Sequence, residues 1–265
     1  MFSGRRRVGD LESAVASLAP QFPHTQVWVE SYDLVLAENH NLLSDKFFQN
    51  LLTRINRGEV QALLGGPPCS TWSAARHLKT PGPPPLRLRD CPWGKPSLTP
   101  EQWRQVSDAN ELVFRFVGLC FAVWRASGVF IFEHPSDRGE SPYASVFNTE
   151  LLLWLGQATG AREVHFSQCC VGAPSRKDTT LLTNLPKLFD LGAPEFQCPH
   201  TKHAKVLKGK NKKGVFLTAA GADYPPALNA CFIQALLDFA PHLHCTTAIR
   251  GEGGVHRPPP GLSEV

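Results

Sequence analysis

The chain has 265 residues, of which 42% are hydrophobic and 19% charged, the balance of a globular protein with one sizeable core rather than of a disordered segment. A formal net charge of +4 is too small to name a partner by itself, and no apolar run approaches the ~20 residues of a membrane span. The opening "MFSGRRRVGD" lacks the apolar stretch of a signal peptide, and eight cysteines without such a signal read as reduced thiols, so an intracellular protein is expected, nuclear in a eukaryote and otherwise cytoplasmic.

In chain order, "TQVWVES" (25–31) is rich in β-branched and aromatic residues and predicts a strand. "SDKFFQNLLTRINRG" (44–58) carries an apolar stripe between a candidate N-cap, Ser44, and a terminating Gly58, which predicts a helix. "EVQALLGG" predicts a second strand and runs straight into Pro67, Pro68 and Cys69. Glycine lets the backbone turn there and proline fixes φ and removes donors, so the thiol stands on a stiff loop. On residue type alone a cysteine is more often simply buried. Residues 80–100 are too proline-dense for regular structure, and a connection that long is usually functional or disordered. A single long helix is predicted from its N-cap Thr99, with Pro100 at the first helical position, to Gly128. "VFIFEHPSD" then predicts a buried strand with Glu133 at its exit. Trp28, Trp103, Trp124 and Trp154 are expected in the core or on helix faces, whereas Trp72 and Trp93 are candidates for stacking on a base.

This alternation predicts an α/β domain over residues 1–240, with a mostly parallel sheet and helices on both faces. Residues 185–215 form a small basic insert in that reading, and 241–265 a disordered tail. Ligands of such sheets bind outside the carboxyl ends of the strands, where both Cys69 and Glu133 fall.

Five short segments, in order, resemble the C5-cytosine DNA methyltransferases. "GGPPCSTWSAA" is similar to their nucleophile loop, "FEHP" to their Glu-Asn-Val segment, and "VGAPSRKDTTLLTN" (171–184) to their Gly-Val-Pro-Gln segment with its basic residues. "ADYPPALNACFIQALL" (222–237) resembles the segment that closes on the cofactor, and Phe2-Ser3-Gly4 their cofactor loop. The resemblance implies a Rossmann-like methyltransferase fold, S-adenosylmethionine as cofactor, and DNA more than RNA as partner. It implies Cys69 as the nucleophile that adds to cytosine C6, Glu133 as the acid on the base edge, and Arg176 and Lys177 as charges near the base. The target base must then be flipped or single-stranded. Phe2, Ser3, Gly4, Glu30, Asn41, Pro67, Asp223 and Tyr224 would form the cofactor site, with Glu30 on the ribose and Asn41 on the adenine.

The chain departs from the pattern in three places. Arg5, Arg6 and Arg7 stand where further glycines are the rule. Met1 falls inside the matched segment, so the first strand is expected to be missing or replaced by another segment. Ser175 to Thr179 replace a Gln-x-Arg-x-Arg run, and Lys177 alone does not reproduce a guanidinium fork. An inactive nucleic-acid-binding remnant of a mobile-element methyltransferase is therefore the alternative. A thiol hydrolase using Cys69 with His77 or His134 lacks any accompanying oxyanion pattern.

"CPHTKHAKVLKGKNKKG" (198–214) is basic throughout and sits where the family carries its recognition region. Lys205, Lys208, Lys210, Lys212 and Lys213 read either as a solvated loop or as a phosphate-tracking contact whose binding weakens with salt. Cys198, His200 and His203 have the spacing of part of a metal site, with Cys169 or Cys170 as a conceivable fourth ligand. One such cluster is weak evidence, and the expectation from sequence is a chain without a metal.

Overall fold

In a computed structural model, residues 1–2, 4–78, 82–206, 209, 217, 221 and 223–243 are described. Helix α1 (Leu11–Leu18) starts at Asp10, whose side chain accepts from Ser13 N. Helix α2 (Asp45–Asn56) starts after Ser44 and buries Phe48, Leu51 and Ile55 on one face. Gly58, just beyond it, has a φ of 74°, the left-handed conformation that glycine adopts without strain. Strand β1 (Ala62–Gly65) leads into the cysteine loop, and α3 (Pro100–Arg125) carries the chain back across the sheet to β2 (Val129–Pro135). Thr99 caps α3 in a reciprocal capping box with Gln102. Helix α4 (Glu150–Thr159), strands β3 (Arg162–Ser167) and β4 (Asp178–Thr183), and α5 (Pro226–Phe239) complete the regular elements discussed below.

The four strands lie in the order β1-β2-β4-β3, forming a mixed sheet. Only β1 and β2 are parallel, and β4 is antiparallel to both β2 and β3. This corrects the expectation of a mostly parallel sheet, and the reason is the length of the links. A parallel return needs a crossover of a dozen or more residues, which α3 supplies between β1 and β2. Only residues 168–177 separate β3 from β4, so the chain turns back beside itself. A second correction concerns residues 25–31, which have no ladder partner and form no strand. Trp28 is 87% exposed there, against its expected place in the core. Strand propensity acts through neighbours, and that segment has none to pair with. The outer edge of β1 is met instead by Met1, whose amino nitrogen donates to the Leu64 carbonyl at 2.6 Å.

Alternation along the strands divides the core in two. Phe130, Phe132 and Leu182 face α2, α3 and α4, whereas Val129, Ile131, Val164, Phe166 and Leu181 face α5 and the turns at 186–192. Helices thus pack on both faces, as the sequence predicts. The first part of the expected basic insert belongs to this packing, because Leu185, Leu188 and Leu191 are buried in the second cluster. No described helix is long and apolar enough to cross a membrane.

The proline-rich connection has no helix or strand in its described part, yet it is docked. Arg87 is 1% exposed and donates to Thr71 Oγ1 (3.0 Å), Asn110 Oδ1 (2.7 Å) and the carbonyls of Pro92 (2.8 Å) and Val106 (3.3 Å). Its guanidinium lies 4.0 Å from the centre of the Trp72 ring. Trp72 is buried beneath it, which removes this ring from the base-stacking role that the sequence suggests. The Arg87→Ala variant is expected to lose about 2–4 kcal/mol of stability, since it removes the donor from Asn110 Oδ1, Thr71 Oγ1 and the Pro92 carbonyl and leaves a void. Urea denaturation measures this, and an unchanged midpoint would show that the connection docks without Arg87.

Candidate functional site

The parallel register sets Gly65 beside Phe132, which places Gly66 beside Glu133. That approach is very close: a Cβ on Gly66 would lie 2.5 Å from Glu133 Oε2 and 2.9 Å from the Tyr224 hydroxyl oxygen. Proximity therefore favours glycine at position 66, since a larger residue would have to push those two side-chain tips aside. Three residues on, Cys69 is half-buried, and its carbonyl accepts from Trp72 N at 2.9 Å, closing the turn.

Glu133 is 6% exposed at the end of β2. Its Oε2 accepts from the Tyr224 hydroxyl at 3.0 Å, and its Oε1 lies 3.3 Å from Lys177 Nζ. The second contact is an ion pair without hydrogen-bond alignment, so Oε1 keeps an acceptor position without a partner inside the protein. Lys177 enters from the residue before β4 and stands 5.6 Å above the Tyr224 ring. A buried carboxylate needs such company, because an unpaired charge of this kind is strongly destabilising.

Burial pushes the Cys69 thiol above its ordinary range, the Glu133 carboxylate pushes it further, and the Lys177 ammonium opposes both. Burial and Glu133 likewise hold the Tyr224 hydroxyl well above its usual value. His134 points to the opposite face among Trp72, Phe132 and Phe147. Burial lowers its pKa to about 3, and neither ring nitrogen has a hydrogen-bond partner.

The structure thus brings together Cys69, Glu133, Lys177 and Tyr224, and separates them from other residues singled out by the sequence. Arg176 is turned to Asp178, 2.9 Å from its Nε, and does not join the Glu133 cluster. Pro67 is buried in the cysteine loop. Tyr224, expected on the cofactor, is the hydrogen-bond partner of Glu133 instead, a role for which the sequence carries no signal. A cavity of about 240 Å³ opens beside the cluster, walled by Arg7, Gln168, Pro174, Lys177 and Tyr224 among others, although Cys69 is not among its walls.

The remaining cofactor residues are already engaged. Gly4 N donates to Asp33 Oδ2 at 2.9 Å, Phe2 packs on Phe116, and Asp223 lies 3.4 Å from Arg7 Nη1. Arg54 grips Glu30 with two nitrogens at 2.7 and 2.8 Å, and together with the Tyr32 hydroxyl it holds the Glu30 carboxyl down at about 2. Asn41 Oδ1 accepts from Leu43 N at 2.9 Å. The space among Met1, Phe2, Gly4, Arg5, Arg6 and Tyr224 is about 20 Å³. That is room for about one water, against the roughly 300 Å³ or more of a small-ligand pocket. In this conformation these residues do not fit a nucleoside-sized cofactor. Ser3 lies outside the described residues.

Of the basic run, Lys205 is exposed and its N donates to the Pro174 carbonyl at 2.9 Å. Lys208, Lys210, Lys212 and Lys213 lie outside the described residues. Cys198, His200 and His203 converge with Cys169, their four ligand atoms all within 4.8 Å of one another. The sequence leaves Cys169 and Cys170 equal as the fourth member, and the turn at 168–171 selects Cys169.

No family model, curated protein or solved structure matches the chain.

Two predictions test the cluster. Alkylation of Cys69 by iodoacetamide is expected to have a pH midpoint above the ~8.5 of a free thiol. Glu133→Gln should lower that midpoint by removing a negative charge, and Lys177→Met should raise it; shifts in the opposite directions would refute the arrangement. Gly66→Ala is expected to fold with about 1–3 kcal/mol less stability, because the Glu133 and Tyr224 side chains must move aside, as read from thermal unfolding.

Proposed function

We propose that the chain is a Rossmann-like, C5-cytosine-methyltransferase-like protein that takes an unstacked cytosine of DNA against Cys69 and Glu133. The observation that carries this reading is the nucleophile and the buried carboxylate at the carboxyl ends of two adjacent parallel strands, with Lys177 on the carboxylate. The five sequence segments support it, and so does the partnerless acceptor position on Glu133 Oε1, which suits the N4 amino group of cytosine.

Cytosine C6 is a poor electrophile, and the residues present answer that difficulty. Deprotonated Cys69 forms an S–C6 bond while the C5=C6 electron pair shifts through C4 onto N3. Glu133, an ionised carboxylate at rest, takes up a proton from water as the base docks and delivers it to N3, which prevents charge from accumulating there and leaves C5 electron-rich. Lys177 then balances the carboxylate that remains, and Tyr224 keeps it oriented. Burial holds the resting thiol protonated, so addition should accelerate as pH rises. S-adenosylmethionine would supply the electrophilic methyl group. The N-terminal residues do not fit that cofactor in this conformation, and Cys69, Glu133 and Lys177 act on the base alone.

The filled space at Met1–Arg6 and the grip of Arg54 on Glu30 favour a second reading, a nucleic-acid-binding remnant that has lost methyl transfer. Trapping on 5-fluorocytosine DNA in the presence of S-adenosylmethionine separates the two. Fluorine at C5 blocks the elimination that would release the enzyme, so the first reading predicts an adduct stable to denaturing electrophoresis, absent in Cys69→Ser and reduced at least about 100-fold in rate in Glu133→Gln. A salt-sensitive complex without an adduct selects the remnant, and absence of both refutes the nucleic-acid reading altogether.

A further inference from the structure

We infer that Cys169, Cys198, His200 and His203 form a structural zinc site. It is distinct from the Cys69 cluster and does not depend on the function assigned to that cluster.

The residues come from two segments that the fold presses together. Cys169 sits in the turn at 168–171 that closes β3, and the others follow one another as Cys-x-His-x-x-His in a stretch that lies against it. That stretch is held before any metal is considered. Gln197 Nε2 donates to the His165 carbonyl at 2.7 Å, Cys198 N to Ser167 Oγ at 3.2 Å, and Ser167 Oγ in turn to Asp178 Oδ1 at 2.6 Å. Lys205 N donates to the Pro174 carbonyl at 2.9 Å on the far side of the cluster.

The ligand atoms are close enough to one another for a coordination tetrahedron to form with small side-chain adjustments. With Zn–S near 2.3 Å and Zn–N near 2.0–2.1 Å, tetrahedral ligand atoms lie roughly 3.3–3.8 Å apart. Cys198 Sγ is 3.2 Å from His203 Nε2 and 3.6 Å from His200 Nδ1, and all four ligand atoms fall within 4.8 Å of one another. Two thiolates and two neutral imidazoles balance the dication, so the bound site has no net charge and needs no further counter-ion. Four protein ligands leave no open position for water, which makes the site structural rather than hydrolytic. Its effect is to fasten the origin of the lysine-rich run to the turn that leads into Lys177.

The test is metal analysis of the full chain purified without chelators. About one zinc per chain is expected, in line with the four-ligand site. Cobalt substitution should give the visible bands of tetrahedral cobalt together with thiolate charge transfer. Cys198→Ser should bring the zinc content below a tenth of wild type, and His203→Cys, which keeps a four-ligand thiolate-imidazole set, should retain it. Cys170→Ser, one residue from the site, should also retain it. Zinc below a tenth per chain after incubation with zinc salt, an octahedral cobalt spectrum, or a metal-free Cys169–Cys198 disulfide in the mass spectrum would each overturn the proposal. Equal zinc loss in Cys170→Ser and Cys198→Ser would overturn this ligand set as well.

Discussion

A carboxylate buried at the end of a central strand constrains everything around it. Glu133 is withdrawn from water and must be met by cations and donors brought from elsewhere in the chain, and the fold delivers them from two directions and makes room from a third. The turn between β3 and β4 brings Lys177, the residues before α5 bring Tyr224, and the end of β1 brings a glycine thin enough to let the cysteine loop pass. Gly65 is pressed in the same way from the other face, where a Cβ would lie 2.5 Å from the Phe116 ring of α3. The Gly-Gly pair is therefore a strand end squeezed between a helix and a carboxylate, and Cys69 inherits its position from that squeeze.

Much of this was legible in the sequence, for local reasons. Thr99, Gln102 and Pro100 announce the start of α3 because capping and proline geometry are decided within four residues. Cys69 and Glu133 were placed at strand ends because apolar strands stopped by glycine and proline have visible boundaries. What stayed hidden depended on partners. Residues 25–31 have the composition of a strand and no neighbour to bond, and β4 reverses direction because of a link length that the motif reading did not weigh. Tyr224 could not be assigned to Glu133 from a distance of 91 residues along the chain. Choosing Cys169 over Cys170 likewise required the geometry of a turn, not its spelling.

The two halves of the site differ in how far they are committed. Around Glu133 one buried carboxylate oxygen still lacks a hydrogen-bond partner, and of its neighbours Lys177 and Tyr224 reach the wall of the adjoining cavity. Around the N-terminus several groups have internal partners: Glu30 has Arg54, Gly4 has Asp33, and Asp10 takes Arg6 and the first turn of α1. Ion pairs of this exposed kind contribute little stability individually, so their importance lies in occupying acceptors rather than in holding the fold. Arg87 is the opposite case, an interior cation that meets no carboxylate among its hydrogen-bond partners, only neutral oxygens and an aromatic face.

The parallel pairing of β1 with β2 has a consequence for how the molecule comes into being. Strands β3 and β4 lie close in the chain and can zip together early, whereas β1 meets β2 only after the connection and α3 have been ordered between them. Contacts of such sequence separation form late, because loop closure is unfavourable before they repay it. The shielding that raises the Cys69 thiol therefore hangs on the pairing that is longest-range in the sheet, and opening of β1 from β2 alone would be enough to release it.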